Sequence, residues 1–157
     1  MDRSDRLERG VRILNGSFVK NRNPAVSTLS GEIVCFDCID VERLCMKFRI
    51  PGRFSSADGS TASYGVGAAV MDAVCANAVV LFSDFEFTVA TLEQQCCFLS
   101  CLPVDVDLYA FATITKRDGR IAFLNVDLRL GSATGTLVAT GSQCNSLLKL
   151  PARRSKM

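Results

Sequence analysis

Over positions 65–82 the chain is almost wholly small and apolar, yet one carboxylate, Asp72, stands in it. An ionised carboxyl buried without a partner is costly, so its place in the middle of that run calls for a function or a partner. A carboxylate in such surroundings can serve as a general base on water or as a nucleophile on a carbonyl carbon. Ser63, Tyr64 and Gly65 stand where the apolar run begins. In a helix starting there, the first backbone N–H groups have no partner within the helix and carry the positive end of its dipole. They are therefore suited to hold a developing oxyanion. A glycine at that end lets a substrate approach the backbone.

Other chemistries are excluded or disfavoured by composition. The 157 residues contain no histidine, which removes Ser-His-Asp and Cys-His nucleophiles and every His-ligated metal site. Eight cysteines are present, but the opening "MDRSDRLERG" has no apolar signal segment, so free thiols filling core positions are expected rather than a disulfide scaffold. Cys35 and Cys38 have the spacing of half a zinc site, yet no second such pair follows. Strand alternation would also put their sulfurs on opposite faces, so no metal is expected. A net charge of +2 with both signs interspersed lacks the basic stripe of a duplex-binding protein, and nucleic acid is not an expected partner. The run 66–82 is shorter than the ~20 residues of a membrane span and carries Asp72 at its centre, so it reads as a buried helix.

The elements around these residues follow from periodicity. Leu7, Val11, Leu14 and Phe18 recur at helical spacing between charged residues, with Ser4 as the expected N-cap. A loop through "NGSFVKNRNPAV" completes an N-terminal segment 1–28. Positions 31–39 and 42–50 alternate and form an antiparallel pair turning near Asp40 and Val41. The long helix covers 65–81. Strands follow at 86–99, 106–115, 122–130 and 136–143, with an Asp-Gly hairpin turn in "KRDGR". A helix apolar all round must be covered on all sides, and a strongly twisted antiparallel sheet can wrap it. The expected architecture is an α+β domain over 29–148, with the four later strands in a meander, followed by a basic tail 149–157.

From about position 44 to 148 the chain resembles the hotdog-fold acyl-CoA thioesterases of the PaaI-like group. The resemblance lies in the order of strands, the central helix and its acid. It extends to "FLSCLPVDVDLYAFATITKRDGRIAFLNVDLRLGSATGTLVATGS" near the end. That family opens its helix with His-Gly-Gly and places an acid nine positions after the His; here the corresponding residues are Ser63, Tyr64, Gly65 and Asp72. The resemblance implies a hotdog fold and hydrolysis of an acyl-CoA to acid and coenzyme A, with no cofactor beyond the coenzyme A of the substrate. The acid would be Asp72, with oxyanion donors at Tyr64 and Gly65 and a strand hydroxyl at Thr91. Ser56 or Asp58 would stand for the family's upstream Asn, beside Ser63. Lys116, Arg117 and Arg120 are candidates for coenzyme A phosphates. Donor and acid would meet across the interface of a homodimer, often paired into a homotetramer. A non-catalytic acyl-CoA binder is the first alternative, since Ser63 and Tyr64 replace His and Gly; a scaffold without acyl ligand is another. The ending Ser155-Lys156-Met157 resembles a peroxisomal address read by an import receptor, so a peroxisome or related organelle is the expected location, with cytoplasm otherwise.

Overall fold

The structure, a computed structural model, describes residues 2–20, 31–37, 41–57 and 59–150. Asp58, Cys38 and the Ser155-Lys156-Met157 ending lie outside them, as does the Phe18 side chain. Helix α1 (Arg3–Lys20) opens the chain. Its cap is Asp2 rather than Ser4: the Asp2 carboxylate accepts the Arg3 N–H at 2.6 Å and the Asp2 carbonyl accepts the Arg6 N–H at 3.2 Å. Asp ranks with Ser as an N-cap, and it stands earlier. Leu7, Gly10 and Leu14 form the buried face, with Gly10 closely packed against Leu81 and Phe85.

Then come β1 (Gly31–Asp37), β2 (Glu42–Arg49), β3 (Thr61–Ala62), α2 (Tyr64–Phe82), β4 (Phe87–Phe98), β5 (Leu102–Pro103), β6 (Asp107–Asp118), β7 (Ile121–Leu130) and β8 (Thr136–Lys149). Six of the strands form one antiparallel sheet in the order β1-β2-β6-β7-β8-β4, and β3 pairs with β5 beside it. The Asp-Gly turn is present as expected: Asp118 pairs with Ile121, and Gly119 takes the left-handed conformation at φ 57°. The expected four-strand meander is corrected. β6, β7 and β8 follow one another, but β4 joins beyond β8 at the sheet edge. Alternation fixes which residues of a strand face inward and says nothing of its neighbour. Strand β8 also runs on past Gln143 to Lys149.

Helix α2 lies on the inner face of this sheet. Leu44, Met46 and Phe48 of β2, Leu108 of β6 and Leu124 and Leu128 of β7 meet Val70, Met71, Val74, Ala78 and Val79 of the helix, all at most 2% exposed. Each such Leu, Val, Met or Phe contributes roughly 1.5–3 kcal/mol by leaving water. By length and composition α2 could cross a membrane; half of its most apolar window is buried against the sheet and its neighbours. The expectation that the sheet covers α2 on all sides is corrected too. Ala69 is exposed, and Asp72, Ala73, Ala76 and Val80, on the same side of the helix, are only half-buried. One sheet has one inner face, and it leaves the far side of the helix open.

Candidate active site

Both candidate features, the acid and the N–H donors, sit at or near α2. Ser63 is its N-cap, in extended conformation and without a side-chain capping bond. The Ser63 carbonyl accepts the Val66 N–H at 3.0 Å and the Gly67 N–H at 3.4 Å. The Tyr64 and Gly65 N–H groups have no acceptor among the described residues, so two dipole-assisted donors point outward from the helix start. The Tyr64 ring, 51% exposed, stacks on Phe98 with the ring centroids 4.6 Å apart. The two nearby glycines differ. A Cβ on Gly67 would collide with Leu102 and come within 2.6 Å of Phe98, whereas one on Gly65 would meet only Ser63 Oγ at 3.8 Å. Gly67 is therefore a packing glycine, and Gly65 borders open space.

Asp72 lies two turns further along. Thr91 of β4 donates its hydroxyl to Asp72 Oδ1 at 2.7 Å. A third residue completes the cluster. Gln143 of β8 donates from Nε2 to the same Asp72 Oδ1 at 2.5 Å and to Thr91 Oγ1 at 2.8 Å. Gln143 is 3% exposed and is the last residue of the strand that the sequence pattern marks out. Its signal is readable in retrospect: Gln143, Asn145 and Leu147 alternate inward, so two amides occupy core positions. All three hydrogen bonds converge on or lead to Oδ1, which leaves Oδ2 without a partner among the described residues. Hydrogen bonds to an ionised group are about twice as strong as neutral ones, so the ring fixes the carboxylate plane and presents its second oxygen. Beside it, Gln143 Oε1 and both polar atoms of the fully buried Asn145 lack partners among the described residues. Asn145 is the direct cross-strand neighbour of Thr91, with side chains about 5 Å apart at such pairs. Burial first, then the Asp72 charge, pushes the Cys75 thiol up; a neutral thiol one turn along α2 adds no competing anion.

Within one chain the two halves of the site stay apart. Seven residues separate Gly65 from Asp72, which at 1.5 Å per residue is roughly 10 Å. One thioester carbonyl cannot touch both at the ~3 Å that reaction requires. Ser56 is used locally: its hydroxyl donates to the Thr61 carbonyl at 2.7 Å and closes the turn before β3. Arg117 pairs with Glu42 at 2.9 Å, which also holds Arg3 at 2.6 Å, and Lys116 lies 3.5 Å from Asp118. Arg120 has no ion pair among the described residues. Thr91, Asn145, Ala122 and Arg117 form one row across β4, β8, β7 and β6, so the basic hairpin tip stands three strand spacings, about 14 Å, from Thr91. Asn77 bonds to the Ala73 carbonyl of its own helix at 2.7 Å. Among the described residues no cluster of metal-ligating side chains occurs.

No protein family's sequence profile matches the chain, and no curated protein matches it in sequence. Solved structures do match in fold. A thioesterase from Haemophilus influenzae aligns at 21% identity over 85% of this chain and 89% of its own, with a TM-score of 0.69. The E. coli PaaI protein of the phenylacetic acid degradation operon aligns at 11% identity over 90% and 96%, with a TM-score of 0.71. A hypothetical thioesterase from Streptococcus pneumoniae, solved with coenzyme A, aligns at 14% identity over 78% and 91%, with a TM-score of 0.65. The chain has the hotdog fold of these thioesterases: an antiparallel sheet curled around one long helix.

Proposed function

We propose that the protein is an acyl-CoA thioesterase whose general base is Asp72. The observation that carries this is the ring formed by Asp72, Thr91 and Gln143, which leaves Asp72 Oδ2 unpartnered on the open side of α2. Asp72 Oδ2 takes a proton from a water, and the resulting hydroxide adds to the thioester carbonyl carbon. The oxyanion forms against the Tyr64 and Gly65 N–H groups of a second copy of the chain. When the tetrahedral intermediate collapses, the coenzyme A thiolate leaves and recovers the proton from Asp72. Thr91 and Gln143 orient the base, and the unpartnered Gln143 Oε1 and Asn145 amide favour an ordered water nearby.

The second copy is required by the ~10 Å between the two halves along one helix. Two open features support a homodimer: the small-residue side of α2 that bears Asp72, and the outer edge of β4, which no strand among the described residues covers. A homotetramer would be built from such pairs. Arg120 is the basic-tip residue most available to a coenzyme A phosphate, with Lys116 beside it and Arg117 already paired. No cofactor is called for beyond the coenzyme A of the substrate. Import into a peroxisome through Ser155-Lys156-Met157 would bring the enzyme to acyl-CoA.

The Tyr64–Phe98 stack at the helix entrance favours a second reading, in which the site binds acyl-CoA without turning it over. Both are tested by one panel of acyl-CoA thioesters given to the wild type and to Asp72→Ala. Because eight thiols would react with a disulfide reagent, coenzyme A release is followed by mass spectrometry. The expected outcome is hydrolysis by the wild type and a loss of about 10²–10⁴-fold in the variant. Undiminished hydrolysis by Asp72→Ala overturns the assignment, and saturable binding without turnover by the wild type supports the binder.

A further inference from the structure

We propose that Cys35 and Cys45 form a peroxide-oxidisable thiol pair that closes a reversible disulfide between β1 and β2. The chemistry is separate from that of Asp72 and stands whether or not the protein hydrolyses thioesters.

The pair is created by a bulge. Ile33 of β1 lies opposite Met46 of β2, so regular antiparallel pairing would put Val34 opposite Cys45 and Cys35 opposite Leu44. The register shifts by one residue between Ile33 and Cys35, and Cys35 becomes the partner of Cys45. Bulges re-aim side chains in this way. The Cα atoms of directly opposed antiparallel residues are about 4.5–5.5 Å apart, inside the window of about 4.4–6.8 Å that a disulfide spans. Both thiols are reduced. Their surroundings divide the roles. Cys35 is exposed on an edge strand, where an oxidant can reach it. Cys45 is 1% exposed, beside Arg43, whose guanidinium lies over the Phe111 ring at 4.5 Å. Burial and the neighbouring Cys35 push the Cys45 thiol up to about 12, so it is a resolving rather than an attacking group.

The Cys35 thiolate attacks a peroxide oxygen, the O–O bond breaks, and Cys35 becomes a sulfenic acid as hydroxide leaves. Cys45 sulfur then displaces the sulfenic oxygen, its proton departs with that oxygen as water, and the S–S bond forms. Two electrons pass from the thiol pair to the peroxide, and a dithiol reductant reverses the change. The bond would fasten the edge strand that α1 grips: Asn15 donates from Nδ2 to the Ile33 carbonyl at 3.2 Å and accepts the Ile33 N–H at 2.9 Å.

The test treats the full chain with hydrogen peroxide and maps peptides without reductant. The expected result is a loss of two hydrogens assigned to a Cys35–Cys45 link, reversal by dithiothreitol, and a rise in Tm of the oxidised form. Cys35→Ser, a change at an exposed position, removes the link; in Cys45→Ala the unresolved Cys35 proceeds to sulfinic acid. A link from either residue to Cys38 instead, or sulfinic acid at Cys35 of the wild type with Cys45 still reduced, overturns the proposal.

Discussion

Gln143 makes two of the three hydrogen bonds that organise Asp72 and Thr91, and its remaining oxygen is buried without a partner among the described residues. In the proposed reaction it would orient the base through Asp72 Oδ1, which makes it a positioning residue. Gln143→Leu is expected to lower kcat about 10²-fold while KM for acyl-CoA changes little. At Thr91 the hydroxyl is what counts, so Thr91→Ser keeps most activity and Thr91→Val loses it. Steady-state kinetics of the three variants decides the matter; equal rises in KM with kcat intact would instead make both residues substrate contacts. Asp72 is legible in the sequence because a lone charge in an apolar run is a local signal, whereas Thr91 follows only from the family resemblance. Gln143 is 71 positions from Asp72, and nothing in its neighbourhood names its partner.

Two glycines at the start of α2, two residues apart, have opposite surroundings. Gly67→Ala drives a methyl into Leu102 and Phe98, and displacing Phe98 also disturbs the ring stacked on Tyr64. A destabilisation of about 1–3 kcal/mol is expected, readable as a lower denaturant midpoint. Gly65→Ala meets open space and gains helix propensity of up to about 1 kcal/mol. Stability should hold or rise while hydrolysis falls, because the methyl stands where substrate must reach the N–H donors. The opposite ordering in a paired melt and assay would assign the substrate face to Gly67. The two sheet edges are equally unlike each other. At β1, Asn15 occupies the Ile33 backbone groups as a neighbouring strand would; β4 has no such cover among the described residues. The proposed homodimer would therefore add a strand at β4, the edge that carries Thr91.

At the scale of the molecule, the buried thiols make stability depend on alkaline pH. Cys45 is raised from 9.0 to about 12, by burial and then by Cys35, and Cys75 is raised in the same direction, chiefly by burial. Above pH 9 the unfolded chain releases thiol protons that the folded chain retains, so it is the unfolded state that binds fewer protons and stability falls as pH rises. This contribution is fully present below pH 9 and is lost as pH climbs towards 12. Tm measured from pH 8 to 11 should decline, and the decline should be shallower in Cys45→Ala. An unchanged slope in that variant would falsify the assignment to Cys45.

The sequence by itself determined the α+β class, the helix that bears the acid, the hairpins and the inward set of each strand, because each follows from periodicity and turn chemistry within a dozen residues. It also determined that a histidine mechanism is absent. Only the tertiary structure decided that β4 lies beyond β8, that β8 continues to Lys149, and that a bulge at Val34 turns Cys35 towards Cys45. Those outcomes depend on which strands meet and in what register, which a period-two pattern leaves open. The same holds for the acid. Its place in α2 is written locally, but the Thr91 and Gln143 side chains that leave Oδ2 free come from two strands brought together by the sheet.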